Sequence, residues 1–290
     1  MSSAWKLLLI VLLLGAVAMW LAVYSFSSNK FRLITCDVGQ GDAILAIYGS
    51  FEILTDGGLP NGKVSECLSR HMPFWDRTIE VVVNTHPQLD HYGGLIKVLQ
   101  NYQVLYFVGN SLESSSQEYQ VLKKLTKNVV NPVAGQRIRY GMIQYDIFWP
   151  TREFLISEGW NGVQGKLGTF ESKRDPNDFS VQGVISFGNF KALLTGDIGI
   201  EMADLVIPEV KENLVDYIKI PHHGSKYGMA KNYINLFEPE LAVISVGKNN
   251  YGHPTKEILE ILSNAKIKTF RTDLDGDIVI ESDGESYWLK

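Results

Sequence analysis

The sequence predicts an α/β fold, a mixed sheet covered by helices, from three observations. Short β-branched runs recur along the chain, amphipathic stretches stand between them, and polar clusters follow the ends of several runs. Strand ends are where α/β proteins assemble their sites.

In chain order, Leu7 to Val23 is a run of 17 apolar or glycine residues behind Lys6. As a helix it spans about 26 Å, against a hydrocarbon core of about 30 Å. Trp5, Trp20 and Tyr24 fall at interfacial positions. Ala16-Val17-Ala18 offers a competing small-residue cleavage pattern. Residues 1–28 therefore read as a transmembrane anchor or a signal peptide, and the apolar run continuing to Val23 favours the anchor. Both readings put residues 29–290 outside the cytoplasm. Lys6 on one flank and Lys30 with Arg32 on the other leave the positive-inside rule little leverage.

Cys36 and Cys67 are expected to stay free, because Cys36 lies in an apolar strand, where a thiol packs as a small core residue. Thr78 to Asn84 is nearly continuous in β-branched residues, the pattern of a strand buried on both faces. It runs into Thr85-His86-Pro87-Gln88-Leu89-Asp90-His91-Tyr92-Gly93-Gly94, with two imidazoles and a carboxylate within six residues. Nitrogen and carboxylate donors without thiolates suit a catalytic zinc, manganese or iron better than a structural zinc.

Helices are expected at Gly94 to Tyr102, Gln117 to Lys127 and Thr255 to Ser263. Ser111 to Gln117 reads as a solvated loop. Ser157 to Asn177 is long for a connection inside a compact domain, and reads as a mobile flap leading to Asn177-Asp178.

Three more strands end in polar clusters: Phe190 to Leu194 before Thr195-Gly196-Asp197, Tyr217 to Ile220 before Pro221-His222-His223-Gly224-Ser225-Lys226, and Ala242 to Val246 before Asn249 to Pro254. Five of the six histidines thus follow strands. His71 does not, and is read as structural. For each residue alone a bland reading competes: Asp197 as a turn former, Lys226 as a solvated lysine, Ser225 as a turn serine, His253 as a helix-flanking ring.

These segments, with Cys36-Asp37-Val38-Gly39-Gln40-Gly41-Asp42-Ala43, Thr55-Asp56-Gly57-Gly58, Asn177-Asp178-Phe179-Ser180 and Arg271-Thr272-Asp273, resemble the metallo-β-lactamase-fold hydrolases. The match is to the extracellular hydrolase domain of ComEC-type competence proteins in particular, over residues 33 to 280. The resemblance implies an αββα sandwich, a centre of one or two divalent ions (zinc or manganese) at the sheet edge, and hydrolysis, with DNA phosphodiesters as substrate. It makes His86 a ligand of one metal, Asp90 and His91 ligands of a second, and Asp197 the bridge. One of His222 and His223 completes the second site while the other faces substrate, and spacing does not choose between them. Asn177 stands where related hydrolases carry a further histidine, which assigns it a substrate contact or a weaker metal contact.

The chain departs from the pattern at Gln88, where competence-type members commonly have aspartate. A neutral amide holds a cation less firmly, so one tight and one weak metal site are expected.

The chemistry follows from charge: a divalent cation acidifies bound water toward neutrality, and a second steadies entering and leaving oxygens. Asp90 is the candidate to take the water proton, and Lys226, Ser225 and His253 are candidates to neutralise a pentavalent phosphorus. Asp37, Asp42 and Asp56 are weighed as carboxylates that orient a ligand imidazole, with Gln88 beside them, and the resemblance favours Asp56. Turn formation at the adjoining glycines accounts for the same residues without catalysis.

The chain of 290 residues carries 27 basic and 32 acidic side chains, a net charge of −5, and 45% apolar residues. That composition suits one globular domain. It lacks the basic surplus of a tight nucleic-acid binder, although bound cations add positive charge locally. Three readings stand: a membrane-anchored phosphodiesterase or nuclease, a hydrolase of another ester or amide such as a lactone, β-lactam or choline phosphate, and a degenerate binding module. The chain lacks the many apolar spans of a ComEC-type channel, so DNA import would require a separate channel protein as partner.

Overall fold

The computed structural model describes residues 3–26, 30–210 and 214–290. The first helix runs Ser3–Phe26. Its segment Ser3–Leu21 is long and apolar enough to cross a membrane and is not buried against the rest of the chain. Trp5 and Trp20 are exposed on it, while the Tyr24 side chain lies outside the described residues.

The strands begin with β1 (Phe31–Thr35), β2 (Ile44–Tyr48), β3 (Phe51–Thr55), β4 (Thr78–Asn84), β5 (Gln103–Gly109) and β6 (Val129–Val130). They continue with β7 (Arg137–Tyr140), β8 (Ile143–Trp149), β9 (Gln182–Phe187), β10 (Phe190–Leu194), β11 (Tyr217–Lys219), β12 (Leu241–Ile244) and β13 (Lys268–Arg271). Then β14 (Ile278–Ser282) and β15 (Tyr287–Leu289) close the chain.

Among the described residues these form two sheets, ordered β15-β14-β1-β2-β3-β4-β5-β6 and β13-β12-β11-β10-β9-β8-β7. Each is mixed: β3, β4, β5 and β6 pair in parallel, as do β10, β11, β12 and β13, and the remaining pairs are antiparallel. The sequence read a single mixed sheet from strand periodicity; the sandwich implied by the family resemblance is what forms.

Side-chain alternation sets the layers. Leu33, Ile44, Ala46, Ile53, Val81 and Val83 face the second sheet and pack with Ile147, Ile185, Leu194 and Val243. Their neighbours Ile34, Leu45, Leu54 and Val82 point outward under Val64, Leu68, Leu95, Val98 and Leu122 of the first helical layer. Ile218, Ala242 and Ile244 point outward from the second sheet under Ile234, Phe237, Ile258 and Leu262. Both faces of each sheet are covered, which is why β4 reads as an unbroken apolar run. The expected helices form at Leu95–Asn101, Gln117–Leu125 and Lys256–Asn264, the second capped by the Ser116 hydroxyl accepting from the Tyr119 N–H.

Two expectations are corrected. Cys36 and Cys67 are bonded as a disulfide with Cα atoms 5.9 Å apart, inside the range such a bridge requires. Cys36 follows β1 and Cys67 lies on the buried face of the helix Lys63–His71 that covers it, a proximity sequence spacing does not reveal. The stretch from Ser157 to Asn177 is a packed strap rather than a mobile flap. Trp160, Leu167 and Phe170 are buried in it, the Thr169 N–H donates to the Ser111 carbonyl at 2.7 Å, and the Glu113 N–H donates to the Phe170 carbonyl at 2.8 Å. The same contacts bury Ser111 and Leu112, so the loop read as solvated is solvated only beyond them.

Candidate metal centre

The parallel strands of both sheets deliver their C-terminal ends to one place. From the first sheet β3 ends on Asp56 and β4 on Thr85 and His86, and the turn Leu89–Tyr92 adds Asp90 and His91. From the second, β10 leads to Asp197, β11 to His222 and His223, and β12 to Ser245. His86, His91, Asp197 and His223 are buried, each at most 2% exposed. Donor atoms of His86, His91 and Asp197 lie within 4.8 Å of one another, as do those of Asp90, His91 and His223.

Each ring is held by its Nδ1 atom. The Asp56 carboxylate accepts from the Thr85 N–H at 2.8 Å, from the Thr85 hydroxyl at 2.7 Å and from His91 Nδ1 at 2.8 Å. With its proton committed to Asp56, the Thr85 hydroxyl accepts from His86 Nδ1 at 3.0 Å. His223 Nδ1 donates to the Ser245 carbonyl at 2.8 Å. A neutral ring that donates from Nδ1 presents an unprotonated Nε2, the form in which imidazole ligates a cation. The Nε2 atoms of His86, His91 and His223 are buried and without a hydrogen-bond partner. Asp197 Oδ2 approaches those of His91 and His223 at 3.2 and 3.1 Å, and Asp90 Oδ2 approaches that of His223 at 3.4 Å.

Buried, partnerless nitrogens converging on carboxylates fit a divalent cation with nitrogen and oxygen ligands. His86, His91 and His223 with Asp90 and Asp197 are the residues that would hold it.

Local backbone chemistry makes this arrangement. His222 and His223 adopt left-handed φ of 54° and 51°, and Asp56 a φ of 59°, conformations that cost non-glycine residues about 1–2 kcal/mol each. They persist because each residue is tied: the His222 backbone N–H donates to Asp197 Oδ1 at 3.2 Å, the His223 ring is anchored at the Ser245 carbonyl, and the Asp56 carboxylate is held at Thr85. Gly41 lets the loop after β1 lie against the ligand turn, since a Cβ there would stand 2.1 Å from the Asp90 carbonyl oxygen. The helix turn begins at Gln88 in extended conformation.

Charge in the cluster is balanced unevenly. Burial and the neighbouring His91 pull His86 down to about 4. Burial also disfavours the charged forms of His91 and His223, yet Asp197, with Asp56 for the first and Asp42 and Asp90 for the second, outweighs it and holds both well above the ordinary histidine range. Without a cation each Nε2 therefore holds a proton toward Asp197 that a bound cation would displace. Burial opposes ionisation of Asp90, but His223 and His91 override it and keep the carboxyl well below its usual value.

Of the paired histidines, the structure puts His223 in the donor cluster. His222 is half-buried, its ring centroid 5.7 Å from that of His253, which lies 5.8 Å from the exposed Tyr251. Burial lowers the pKa of both His222 and His253. They stand at the mouth of the cluster.

Several expected site residues lie elsewhere. Lys226 is exposed with its Nζ 5.1 Å from the Tyr227 ring centroid, the chain turning outward only after the buried Ser225. Ser225 spends its hydroxyl accepting from the Tyr227 N–H at 3.2 Å. Asp37 accepts from Lys63 Nζ at 3.2 Å and from the Gly39 N–H at 3.0 Å, organising its own loop. Asn177 is buried with a partnerless Oδ1, at the head of a turn whose Ser180 hydroxyl lies 3.3 Å from His86 Nδ1. His71 is structural, 2.9 Å from the Asp277 carboxylate.

Two residues at the cluster were missing from the expected ligand shell. The Lys219 ammonium is buried on Asp197, and Asp42, weighed with Asp37 and Asp56 as a carboxylate that orients a ligand imidazole, stands beside it. A lysine inside the apolar strand Tyr217 to Ile220, immediately before the paired histidines, is the signal in the sequence that could have found them.

Residues 36–248 match the model of the metallo-β-lactamase superfamily. ComE operon protein 3 of Bacillus subtilis is 24% identical over 283 residues, 89% of this chain and 34% of the relative. Recombination protein 2 of Haemophilus influenzae is 24% identical over 258 residues, 87% of this chain and 29% of the relative. The chain thus spans about a third of the length of these curated relatives. Among solved structures, the metallo-β-lactamase fold protein YhfI from Bacillus subtilis superposes with a TM-score of 0.54 at 13% identity, covering 87% of this chain and all of that one. CmlA, a diiron β-hydroxylase from Streptomyces venezuelae, superposes at 0.52 with 12% identity, covering 88% of this chain and 55% of that one. With the family model covering most of the folded domain and the sandwich carrying its donor cluster at the strand ends, the chain belongs to the metallo-β-lactamase superfamily.

Proposed function

We propose that the protein is a membrane-anchored, metal-dependent phosphodiesterase acting on DNA or related phosphodiesters outside the cytoplasm. One observation carries the chemistry: three buried Nε2 atoms without hydrogen-bond partners face the Asp90 and Asp197 carboxylates. A bound divalent cation supplies Lewis acidity and lowers the pKa of water to about 7. The chain's own residues do the rest. Asp90 is the ligand with an exposed margin, its side chain 27% accessible, so its carboxylate is placed to accept the proton of an attacking water. His222 and His253, kept neutral by burial, line the mouth and donate to or accept from a substrate oxygen there. Lys226 stands on the same loop as an exposed cation for the flanking chain of a polyanion.

The substrate class draws on likeness to ComE operon protein 3 and on the competence-type motifs, and a DNA channel is the partner proposed with it. The location draws on the apolar helix Ser3–Phe26 and on the Cys36–Cys67 bridge, since disulfides persist in oxidising compartments. Gln88 favours a second reading, a weakened or non-catalytic site, because it leaves the His86 side of the cluster one anion short.

The test is the full chain in detergent, loaded with manganese or zinc, against a chromogenic phosphodiester, linear single-stranded and double-stranded DNA, lactones and β-lactams. Phosphodiester cleavage that disappears in Asp90→Ala is the expected result. Turnover confined to lactones or β-lactams replaces the substrate, and metal binding with no turnover of any class selects the binding module.

A further inference from the structure

We propose that Lys219 and Asp42 form a positioning pair that sets Asp197, His91 and His223 in ligand geometry ahead of the cation. The proposal rests on the cluster being a metal centre.

Lys219 is the last residue of β11, between Ile218 and Ile220, and its side chain is 1% exposed. An apolar residue would fill that place at no electrostatic cost. The ammonium instead donates to the Gly196 carbonyl at 2.9 Å, to Asp197 Oδ1 at 3.0 Å and to Asp42 Oδ2 at closer range. All three of its donors are used. Because Asp197 Oδ1 takes Lys219 and the His222 N–H, only Oδ2 is left to face the imidazoles.

Asp42 works on the other side. Its Oδ1 lies 3.5 Å from His223 Nδ1 and its Oδ2 3.9 Å from His91 Nδ1, behind both rings and away from their free Nε2 atoms. Its own backbone is pinned, with the Asp42 N–H donating to the Asp90 carbonyl at 3.2 Å and the Gly41 carbonyl accepting from the Ser245 hydroxyl at 2.7 Å. Ser245 in turn receives His223 Nδ1. One buried ion pair therefore touches three donor side chains and the backbone of a fourth ligand.

Burying a pair of this kind adds little stability over well-packed apolar residues. A stability role therefore does not account for it. Four carboxylates, Asp42, Asp56, Asp90 and Asp197, crowd this end of the sandwich, and a fixed ammonium offsets their repulsion without occupying the place between the Nε2 atoms.

The experiment uses the metal-stripped full chain in detergent. Manganese and zinc affinity is read by competition with a chromogenic chelator, and thermal unfolding is followed without metal. Asp42→Asn/Lys219→Met removes both charges of the pair and leaves only Asp197 without its ammonium, so the metal-free protein is expected to melt above Lys219→Met while binding metal about 10–100-fold more weakly than wild type, the usual cost of losing an orienting partner. Lys219→Met alone strands two carboxylates and is expected to lower both stability and affinity. Should the double variant not fold, Lys219→Arg keeps the charge but cannot set one nitrogen on three acceptors, and is expected to bind metal several-fold more weakly. Wild-type or tighter affinity in the folded double variant, or in Lys219→Arg if it is the one that folds, overturns the proposal. A wild-type chain that binds neither metal overturns the proposed function instead, so the two failures are told apart.

Discussion

The two ends of strand β3 bury carboxylates under opposite conditions. At its C-terminal end Asp56 is met by the Thr85 amide and hydroxyl and by His91, with the Lys219 ammonium nearby on Asp42 and Asp197. At its N-terminal end Glu52 is fully buried, and neither of its carboxyl oxygens has a donor partner. Its backbone N–H donates to Glu80 at 2.8 Å, so a second acid sits against it, while Arg32 on β1 spends its Nη2 on the His71 carbonyl at 3.0 Å. A buried acid alone therefore does not mark a functional site. What marks one is a group of partnerless nitrogens, each oriented from behind, facing acids that already have their own cations.

The largest effect is expected at His91, which belongs to both donor groups. His91→Ala is expected to abolish metal retention through dialysis and to reduce hydrolysis at least about 100-fold, since even the loss of an orienting partner costs 10–100-fold. Retained metal at wild-type stoichiometry would move the centre elsewhere. Next in size is Asp56→Asn. The substitution keeps the shape and removes the charge that holds His91 and, through the Thr85 hydroxyl, His86. Metal titration is expected to show affinity about 10–100-fold lower with the fold intact, and an unchanged affinity removes Asp56 from the site.

This end was legible in the sequence to the extent that its chemistry is local. The β-branched run Thr78 to Asn84 ending on Thr85 and His86, and Gly196-Asp197 after an apolar strand, place side chains by periodicity alone. The choice of His223 over His222 was not local. It depends on two consecutive left-handed residues and on a carbonyl at Ser245, contributed by a different strand. Asp37 and Asp42 looked equivalent in one glycine-rich loop, yet one meets Lys63 and the other Lys219, because Gly41 turns the chain between them. Lys219 gave only a weak signal, a single charge among isoleucines: Ile218 and Ile220 face the second helical layer, while Lys219 alternates inward between the sheets, where only the assembled sandwich brings Asp42 and Asp197 to it. The disulfide was illegible for the same reason: its partners are 31 residues apart, and only packing of the helix Lys63–His71 on β1 brings them together.

That bridge extends the comparison to stability. It ties the start of the Asp37–Asp42 loop to the helical layer at the metal end, with nothing equivalent at the Glu52 end. Closing a loop of 31 residues is expected to stabilise the domain by about 3–4 kcal/mol on the chain-entropy account. Cys36→Ser/Cys67→Ser should lower the urea midpoint accordingly, and a midpoint unchanged under oxidising conditions would show that the bridge does not form in solution.

The smallest effect belongs to the other end. Burial, then hydrogen bonding to Glu80 and the Glu80 charge, raise the Glu52 pKa from 4.5 to about 9. The folded state then holds a proton that the unfolded chain has released, and this proton lets Glu52 donate to Glu80. The sign follows from linkage: the contribution to stability is full below about 4.5, declines as pH rises, and is gone once pH passes about 9. Wild-type melting temperature is expected to fall across that window beyond what the metal end explains. Glu52→Gln keeps a donor facing Glu80 at every pH, so its curve should be flatter and lie above wild type at pH 8, by about 2–4 °C for each kcal/mol relieved in a domain of this size. Because the two acids share one proton, the transition belongs to the pair and Glu80→Gln should flatten it too. Parallel curves for wild type and both variants would mean that Glu52 is ionised in the folded protein, and the two ends of β3 would then differ only in which cations they reach.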